Sequence, residues 1–502
     1  MMSSSLEGTS VSSAAILMVL SKAVSHLCYL LVAVILARAL DPVEFGTFNQ
    51  VWLVNKTLVF LFALGLPISI NYFLPRLKED RIKGFVLQTM LGLAILAIPF
   101  SAAMYLLAGK LAQYFNNPAL VGYLRLFAIF PLVTMPTVAT DTILIALGRT
   151  GRAGLFEVVT KGAMVLGLAV TIALGGRLSA VLWALIVYGI AQSLLGAGMI
   201  WRAMPGMNLH FSFAEWKSQL AFAVPLGVSA WSGVLNYQVD KVLVALFHSP
   251  AVFARYSAGA FEVPLAGVTS VPVQSVTMPQ LSKKLGEGDK QGFLNLWHQS
   301  MLKLALVIFG VAAFLMVFAE PAVTMLFGGQ YAASAQPFRI YLLFLPMRIT
   351  LLDQVLASLG ETRFALRSQL AALMLNLCLG YLLVRYAGWV GPAISAVLAA
   401  YLNSALLLSA IRKGLQVSLQ RLIPWRALGQ VAFVAFVAAA GSLPFAFLEV
   451  GNLWKMGGGF VIFATIYLFG SLRTNCITAS DLQSLRTWQY FRPRSAGTAS
   501  RF

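Results

Sequence analysis

The chain has 502 residues, of which 59% are hydrophobic and only 11% are charged, and its formal net charge is +19. Soluble domains carry about 25% charged residues, so this composition excludes a soluble globular enzyme, and it is too apolar for a disordered chain. Many membrane-spanning helices of about 20 residues each account for the length better than soluble domains do. The three cysteines, Cys28, Cys378 and Cys476, lack the spacing of a zinc site or a disulfide framework.

Apolar stretches long enough to span a membrane recur along the whole chain and are joined by short loops. We predict fourteen, and leave twelve or thirteen open because only residues 175–178 separate the fifth from the sixth. The predicted spans are 14–36, 48–71, 84–108, 123–147, 153–174, 179–201, 220–246, 256–279, 299–319, 338–359, 364–385, 390–411, 428–447 and 454–472.

The distribution of Lys and Arg predicts the orientation in the membrane. With the N-terminus in the cytoplasm, 22 basic residues lie on the cytoplasmic side, 6 lie on the opposite side and 8 lie inside spans. Because basic residues concentrate in cytoplasmic loops, both termini are expected there, and this excess explains most of the net charge without nucleic acid. Residues 1–13 contain neither Lys nor Arg, so the first span is interpreted as a retained helix rather than a cleaved signal peptide.

Three short matches indicate an internal repeat. Residues 41–48 resemble residues 249–256 at an offset of 208, and residues 125–127 resemble 339–341 at an offset of 214. Asp141 and Asp353, 212 residues apart, each lie six residues before a Leu-Gly pair. Because the matches occur in the same order, they predict two six-helix halves that enter the membrane in the same sense, a pattern typical of transporters.

The repeat and the spans together predict the organisation of the chain. The fold class is an all-α polytopic membrane protein, in which two parallel six-helix repeats are followed by two further helices. The predicted segments are an N-terminal cytoplasmic segment 1–13, a first half 14–201, a cytoplasmic linker 202–219, a second half 220–412, a linker with helices 13 and 14 at 413–472, and a basic cytoplasmic tail 473–502.

Several segments match the motifs of a known family. Residues 37–48 read ARALDPVEFGTF, residues 240–244 read DKVLV ahead of FARYSAGA at 253–260, and residues 278–282 read MPQLS. They resemble ARxLGPxxYGxY, DxxLL…GxYxxA and xPxLS of the polysaccharide-exporter branch of the MOP (multidrug/oligosaccharidyl-lipid/polysaccharide) superfamily, which includes Wzx-type flippases. The sequence departs from the family by having Asp41 where Gly is usual.

This resemblance implies a transporter of the bacterial inner membrane. It would flip an undecaprenyl-pyrophosphate-linked oligosaccharide, of the O-antigen or exopolysaccharide kind, from the cytoplasmic to the outer leaflet by alternating access around a V-shaped central cavity. No cofactor is implied, and coupling to protons or sodium ions is left open. The implied partners are the lipid-linked oligosaccharide, membrane lipids, and the polymerase and chain-length proteins of the glycan pathway.

Ionisable residues inside the spans are the candidates for function, because each costs about 2.5–3.5 kcal/mol to insert and should face a cavity or a partner. The basic residues outnumber the acidic ones, eight to five. Such an excess suits a pyrophosphate, which needs charge-assisted hydrogen bonds when it leaves water. The basic residues are Lys22, Lys56, Arg125, Lys161, Lys241, Lys303, Arg339 and Arg348, and the acidic ones are Asp141, Glu157, Asp240, Glu262 and Asp353.

Four basic residues are predicted to bind the substrate, namely Lys22, Lys56, Lys241 and Arg348, with snorkelling to the interface as the alternative for the lysines. Four acidic residues are predicted to serve ion coupling or gating, namely Asp240, Glu262, Asp141 and Asp353.

Three ion pairs are predicted as structural alternatives. Glu262 would pair with Lys241 or Lys22, and Arg348 would pair with Asp353. Glu157 and Lys161, four residues apart with Glu first, are expected to pair within one helix.

Other functions stay open at this point. A lipid II flippase has the same number of helices, and a drug or cation antiporter of the same superfamily is the other transport alternative. A membrane glycan polymerase or transferase is disfavoured, because such enzymes need a sizeable loop with acidic or His groups and the longest outer loop, 320–337, carries only Glu320.

Overall fold

The structure is a computed structural model that describes residues 4–204 and 211–474. The predicted tail 473–502 lies almost entirely outside the described residues, and so does part of the predicted linker 202–219. Helix α1 begins at Ser4, so the described part of the predicted segment 1–13 is helical.

Within the described residues the regular structure is α-helix with a few short 3₁₀ turns, as the composition predicts. Up to residue 204 the helices are α1 Ser4–Ala39, α2 Pro42–Phe62, α3 Leu66–Phe73, α4 Glu79–Leu106, α5 Ala108–Tyr114, α6 Leu120–Phe127, α7 Ile129–Thr134, α8 Thr140–Ala146, α9 Thr150–Ala173 and α10 Leu178–Ala203. From residue 211 they are α11 Phe213–Phe247, α12 Pro250–Gly259, α13 Pro264–Gly286, α14 Lys290–Val317, α15 Ala319–Phe327, α16 Ala335–Leu342, α17 Leu345–Arg348, α18 Leu352–Ser358, α19 Thr362–Tyr386, α20 Gly391–Leu415, α21 Leu419–Leu422, α22 Trp425–Ala446 and α23 Asn452–Arg473.

Twelve helical segments of the described chain are long and apolar enough to cross a membrane. The bent pair Pro42–Phe62 and Leu66–Arg76, which turns by 43°, makes a thirteenth. The all-α polytopic fold is therefore confirmed. The predicted span 256–279 is not among the thirteen: its helix is interrupted after Gly259 and resumes at Pro264, which occupies the first turn of α13, where proline is tolerated.

Helices of equal length recur along the chain at nearly the same offset as the sequence matches of the internal repeat. The helices α4 and α14 each have 28 residues. The helices α8 and α18 each have seven, and start 212 residues apart. Each of this second pair ends just before a glycine with positive φ, Gly148 at 72° and Gly360 at 79°. The parallel arrangement of two six-helix halves and the V-shaped cavity stay predictions.

The described residues divide into two compact units. The first contains the chain up to Ala258 together with Leu373–Ala396, and the second contains Gly259–Ala372 and the chain from Val397. In the first unit α1 packs along α9, and α11 packs against α2 and α3. In the second unit α22 and α23 form a hairpin that packs against α14. The predicted halves 14–201 and 220–412 follow sequence similarity rather than contacts, and they stay a prediction.

The helices α2 and α11 approach each other at two glycines in the first unit. The chain turns between α2 and α3 at Leu64 and Gly65, which both have positive φ. A Cβ added to Gly227 of α11 would lie 2.5 Å from the Gly65 amide nitrogen and 2.5 Å from the Leu64 carbonyl carbon. Only glycine permits this backbone contact, so the sequence at 227 fixes how closely α11 packs on the bend.

Asp41, the residue that departs from the family motif, caps α2. Its Oδ1 accepts hydrogen bonds from the backbone N–H groups of Val43 and Glu44, both at 2.9 Å. These are first-turn amides that have no partner within the helix. We therefore expect Asp41→Ala to lower the free energy of unfolding by about 1 kcal/mol, and Asp41→Asn to lower it much less. Thermal unfolding of the two purified variants measures the difference, and equal stability of the two would contradict this role.

Candidate substrate-binding site

Lys56 lies on α2 with its side chain exposed. No carboxylate among the described residues lies within 4.0 Å of its ammonium group, whereas Lys241 of α11 is near enough to act on it electrostatically. Two predicted binding residues therefore lie within electrostatic reach of each other in the first unit. Two neighbouring cations repel each other, so an anion between them lowers the electrostatic energy.

Lys22 of α1 lies between two carboxylates. Its Nζ is 3.6 Å from Asp141 Oδ2 at the start of α8 and 3.2 Å from Glu157 Oε2 on α9. About 44% of the Lys22 side chain is still exposed, so the ion cluster stays open on one side. The structure thus brings the predicted residues Lys22 and Asp141 together, and it adds Glu157.

The predicted ion pair between Glu157 and Lys161 does not form. The Glu157 carboxylate turns to Lys22, because α1 packs along α9 and offers a cation from outside the helix. Lys161 instead donates a hydrogen bond to the Tyr188 hydroxyl at 3.3 Å and lies 5.0 Å from the centre of the Tyr29 ring. Contact with aromatic faces stabilises such a cation without a carboxylate.

Asp240 is buried, with 1% of its surface exposed. Its Oδ2 accepts a hydrogen bond of 2.5 Å from the Tyr256 hydroxyl of α12, and the Lys241 ammonium is 4.0 Å away. A charge at this depth requires such partners. Sequence reasoning missed Tyr256 as a site residue, although the repeat match, which aligns it with Phe48, marked the position.

Glu262 and Arg348 form a bidentate ion pair in the second unit. Arg348 Nε donates to Glu262 Oε1 at 2.7 Å, and a terminal guanidinium nitrogen donates to Oε2 at 2.8 Å. The predicted partners of Glu262, Lys241 or Lys22, were wrong. Asp353, the predicted partner of Arg348, lies within electrostatic reach of the guanidinium but does not form an ion pair with it within 4.0 Å. The helical breaks explain the difference: Glu262 lies in the link between α12 and α13, and Arg348 is the last residue of the short helix α17.

Asp353 occupies the same place in α18 as Asp141 does in α8, but its surroundings differ. Asp141 pairs with Lys22, whereas Asp353 is exposed and has no ion pair within 4.0 Å in the described part of the chain. Leu351, just before α18, is a buried leucine with φ of 51°. The two aspartates are equivalent in the repeat without making equivalent contacts.

A neutral polar cluster joins α11, α19 and α20. The Asn376 amide donates to the Asn236 backbone oxygen at 3.1 Å and to its side-chain oxygen at 3.2 Å, and it accepts from the Ser395 hydroxyl at 2.9 Å. Asn376 and Ser395 are both nearly fully buried. No group of three His, Cys, Asp or Glu side chains that could hold a metal ion occurs in the part of the chain that the structure describes.

Comparison with known proteins identifies the family of this chain. A family described as "Polysaccharide biosynthesis protein" matches residues 35–336, which is more than half of the chain. The chain belongs to this family. This match confirms the predicted resemblance to the polysaccharide branch of the MOP superfamily, and the spanning helices of the described residues make the chain a multi-pass membrane protein.

Three relatives show how far the similarity of this family member extends. A probable lipid II flippase MurJ of Vibrio cholerae serotype O1 is 26% identical over 44% of the chain and 42% of the relative, so the match spans less than half of that protein. The structure of a lipid II flippase MurJ in an inward closed conformation matches 94% of this chain and 100% of that one, with a TM-score of 0.71 at 11% identity. An inward-facing multidrug resistance MATE transporter of the MOP superfamily matches 78% and 96%, with a TM-score of 0.65 at 17% identity. At these identities the two structures show the fold.

Proposed function

We propose that this protein flips an undecaprenyl-pyrophosphate-linked oligosaccharide from the cytoplasmic to the outer leaflet of the bacterial inner membrane. It acts by alternating access, without catalysis, with both termini in the cytoplasm. The carrying observation is Lys56, an exposed cation on a membrane-spanning helix that has Lys241 nearby and no described carboxylate within ion-pair distance. The match to a polysaccharide biosynthesis family supports a glycan as the cargo.

The chemistry of the cargo suits this arrangement. A pyrophosphate that enters a membrane-spanning cavity loses its hydration and needs cationic donors in return. Lys56 supplies one such donor, with no described carboxylate within 4.0 Å, and Lys241, whose ammonium group lies 4.0 Å from the Asp240 carboxylate, supplies a second. A drug cation would meet repulsion at the same place, so the proposal favours an anionic cargo over the drug or cation antiporter alternative.

Arg348 contributes in a second way. Its bidentate contact with Glu262 has the geometry that arginine also uses to bind phosphate. The Glu262 carboxylate therefore occupies the place where phosphate oxygens would bind, and the cargo must compete with it. Lys22 is held similarly by Asp141 and Glu157. In this proposal these carboxylates keep the cationic groups neutralised until the cargo arrives, and together with Asp240 and Asp353 they are the candidates for proton or sodium coupling.

A lipid II flippase is the second candidate. It is favoured by the structural match to MurJ, which extends over 94% of the chain. Both candidates carry a polyprenyl pyrophosphate, so the cationic residues described above suit either cargo. The sugar part distinguishes the two, and a glycan cargo would make the polymerase and chain-length proteins of its pathway the expected partners.

Reconstitution into proteoliposomes tests the proposal. We expect the purified full chain to move a fluorescent undecaprenyl-pyrophosphate oligosaccharide across the bilayer faster than it moves labelled lipid II, with protein-free vesicles as the control. Faster movement of lipid II would replace the proposal by the second candidate. Movement of neither, with uptake of an organic cation instead, would show that the protein is an antiporter.

A further inference from the structure

An open apolar groove runs between α4 and the α6–α7 segment in the first unit, away from the ion pairs described above. It encloses about 500 Å³, within the roughly 300–1,000 Å³ of typical ligand pockets. Its walls include Ile98, Leu106, Ile129 and Leu132, which are all exposed in this chain. Both walls belong to membrane-spanning segments, so these four apolar side chains face lipid acyl chains unless another apolar molecule covers them.

One of the residues that line one end of this groove is a cation, Arg125. The Arg125 guanidinium lies 5.2 Å from the centre of the Tyr105 ring, and both residues line the groove. Tyr105 is in the last turn of α4 and Arg125 is in the second turn of α6, so both lie near an end of their spans, where headgroups are found. No carboxylate of the described residues lies within 4.0 Å of the guanidinium, which is exposed.

The equivalent surface in the other repeat is covered by protein. Ala313 and Val317 of α14, which lie 211 residues after the groove residues Ala102 and Leu106, pack against a buried cluster of the α22–α23 hairpin, formed by Ala438, Ala439 and Phe463. The first repeat has no such hairpin in the sequence, and Leu106 is 76% exposed.

The equivalent arginine of the second repeat has a hydrogen-bond acceptor within the protein. Arg339, which corresponds to Arg125, donates from Nε to the Met316 carbonyl oxygen at 3.3 Å. The first repeat therefore lacks both a cover for the apolar face and a described acceptor for the arginine, and one molecule that is apolar and anionic would supply both.

We propose that this groove binds one anionic phospholipid, with its phosphate on Arg125 and an acyl chain between α4 and α7. A phospholipid fits better than a protein helix, because the groove joins an apolar wall to one cation at the level of the headgroups. Lys110, on the short helix α5 that packs against α6, adds positive charge at the same end. Such charge favours phosphatidylglycerol over a zwitterionic lipid.

Native mass spectrometry of the detergent-purified full chain tests this site. We expect one dioleoyl-phosphatidylglycerol to stay bound, more tightly than dioleoyl-phosphatidylcholine. Arg125→Gln should weaken its binding about fivefold, the loss expected for one basic residue at an anionic headgroup. Ala102→Phe, which fills the groove without changing the charge, should remove the lipid as well.

The matched control is Arg385→Gln. Arg385 also lies over a tyrosine ring, Tyr381 at 4.5 Å, at the end of a spanning helix, and its loss should leave the bound lipid in place. Equal weakening by both arginine variants, or equal retention of the two lipids, would reduce the effect to general surface charge and overturn the proposal. A dimer that Ala102→Phe disrupts, without bound lipid in the wild type, would assign the groove to a second copy of the chain and overturn it too.

Discussion

Replacing Lys56 by alanine is expected to lower the rate of glycan flipping by about 10- to 100-fold, the worth of one hydrogen bond to a charged group. The reason is that Lys56 offers an ammonium group to the cargo without a described carboxylate to compete for it. Lys56→Arg should retain most of the rate, because it keeps the charge. Proteoliposomes with the labelled pyrophosphate oligosaccharide measure all of these rates at equal protein content.

A distant lysine separates this effect from a change in net charge. Lys413, exposed in the last turn of α20, carries the same charge, and Lys413→Ala should flip at the wild-type rate. A wild-type flipping rate for Lys56→Ala would show that Lys56 does not bind the cargo. Lys22→Ala is a less clean test, because it also leaves Asp141 and Glu157 without their shared cation and is expected to lower stability as well as transport.

Gly227→Ala is expected to destabilise the protein more strongly than loss of the Asp41 cap does. The new Cβ would meet backbone atoms of Leu64 and Gly65 at 2.5 Å, and backbone cannot move aside as a flexible side chain can. Overpacking of this kind costs about 1–3 kcal/mol or more. We expect a lower melting temperature and a smaller monodisperse fraction in fluorescence-detected size-exclusion chromatography.

Gly233 provides the control for that substitution. It lies on the same helix, and a Cβ added there meets nothing within 4 Å. Gly233→Ala should therefore leave the melting temperature unchanged or raise it, because alanine favours the helix by about 1 kcal/mol over glycine. If Gly227→Ala and Gly233→Ala melt at the same temperature, the close approach of α11 to the bend does not limit stability.

The sequence predicts the helices of this protein well, because its apolar segments are long and each span forms its backbone hydrogen bonds internally. Even the seven-residue helices α8 and α18 keep the offset of 212 found in the sequence. The interrupted segment between Gly259 and Pro264 was missed, since a run of apolar residues does not show where a helix ends.

The partners of the charged residues were harder to predict. Glu262 and Arg348 are 86 residues apart, and their contact depends on where two helices end. The spacing rule within one helix predicted Glu157 with Lys161, but Lys22 from a helix 135 residues away forms the contact. The sequence shows directly which ionisable side chains lie within the spans. Which of them form ion pairs depends on how the helices pack, and a single sequence does not show that.

The backbone at Leu351 has a consequence for movement. A leucine in the left-handed region costs about 1–2 kcal/mol, and such strain persists only where neighbours enforce it. Two contacts do so here: Trp297 Nε1 donates to the Thr350 carbonyl oxygen at 2.8 Å, and Glu262 holds Arg348 three residues before the bend. The segment between α17 and α18 therefore holds backbone strain at Leu351, and the Glu262–Arg348 ion pair is one of the two contacts that maintain it. An anion that binds Arg348 in place of Glu262 would remove this contact and allow Leu351 to leave the left-handed conformation.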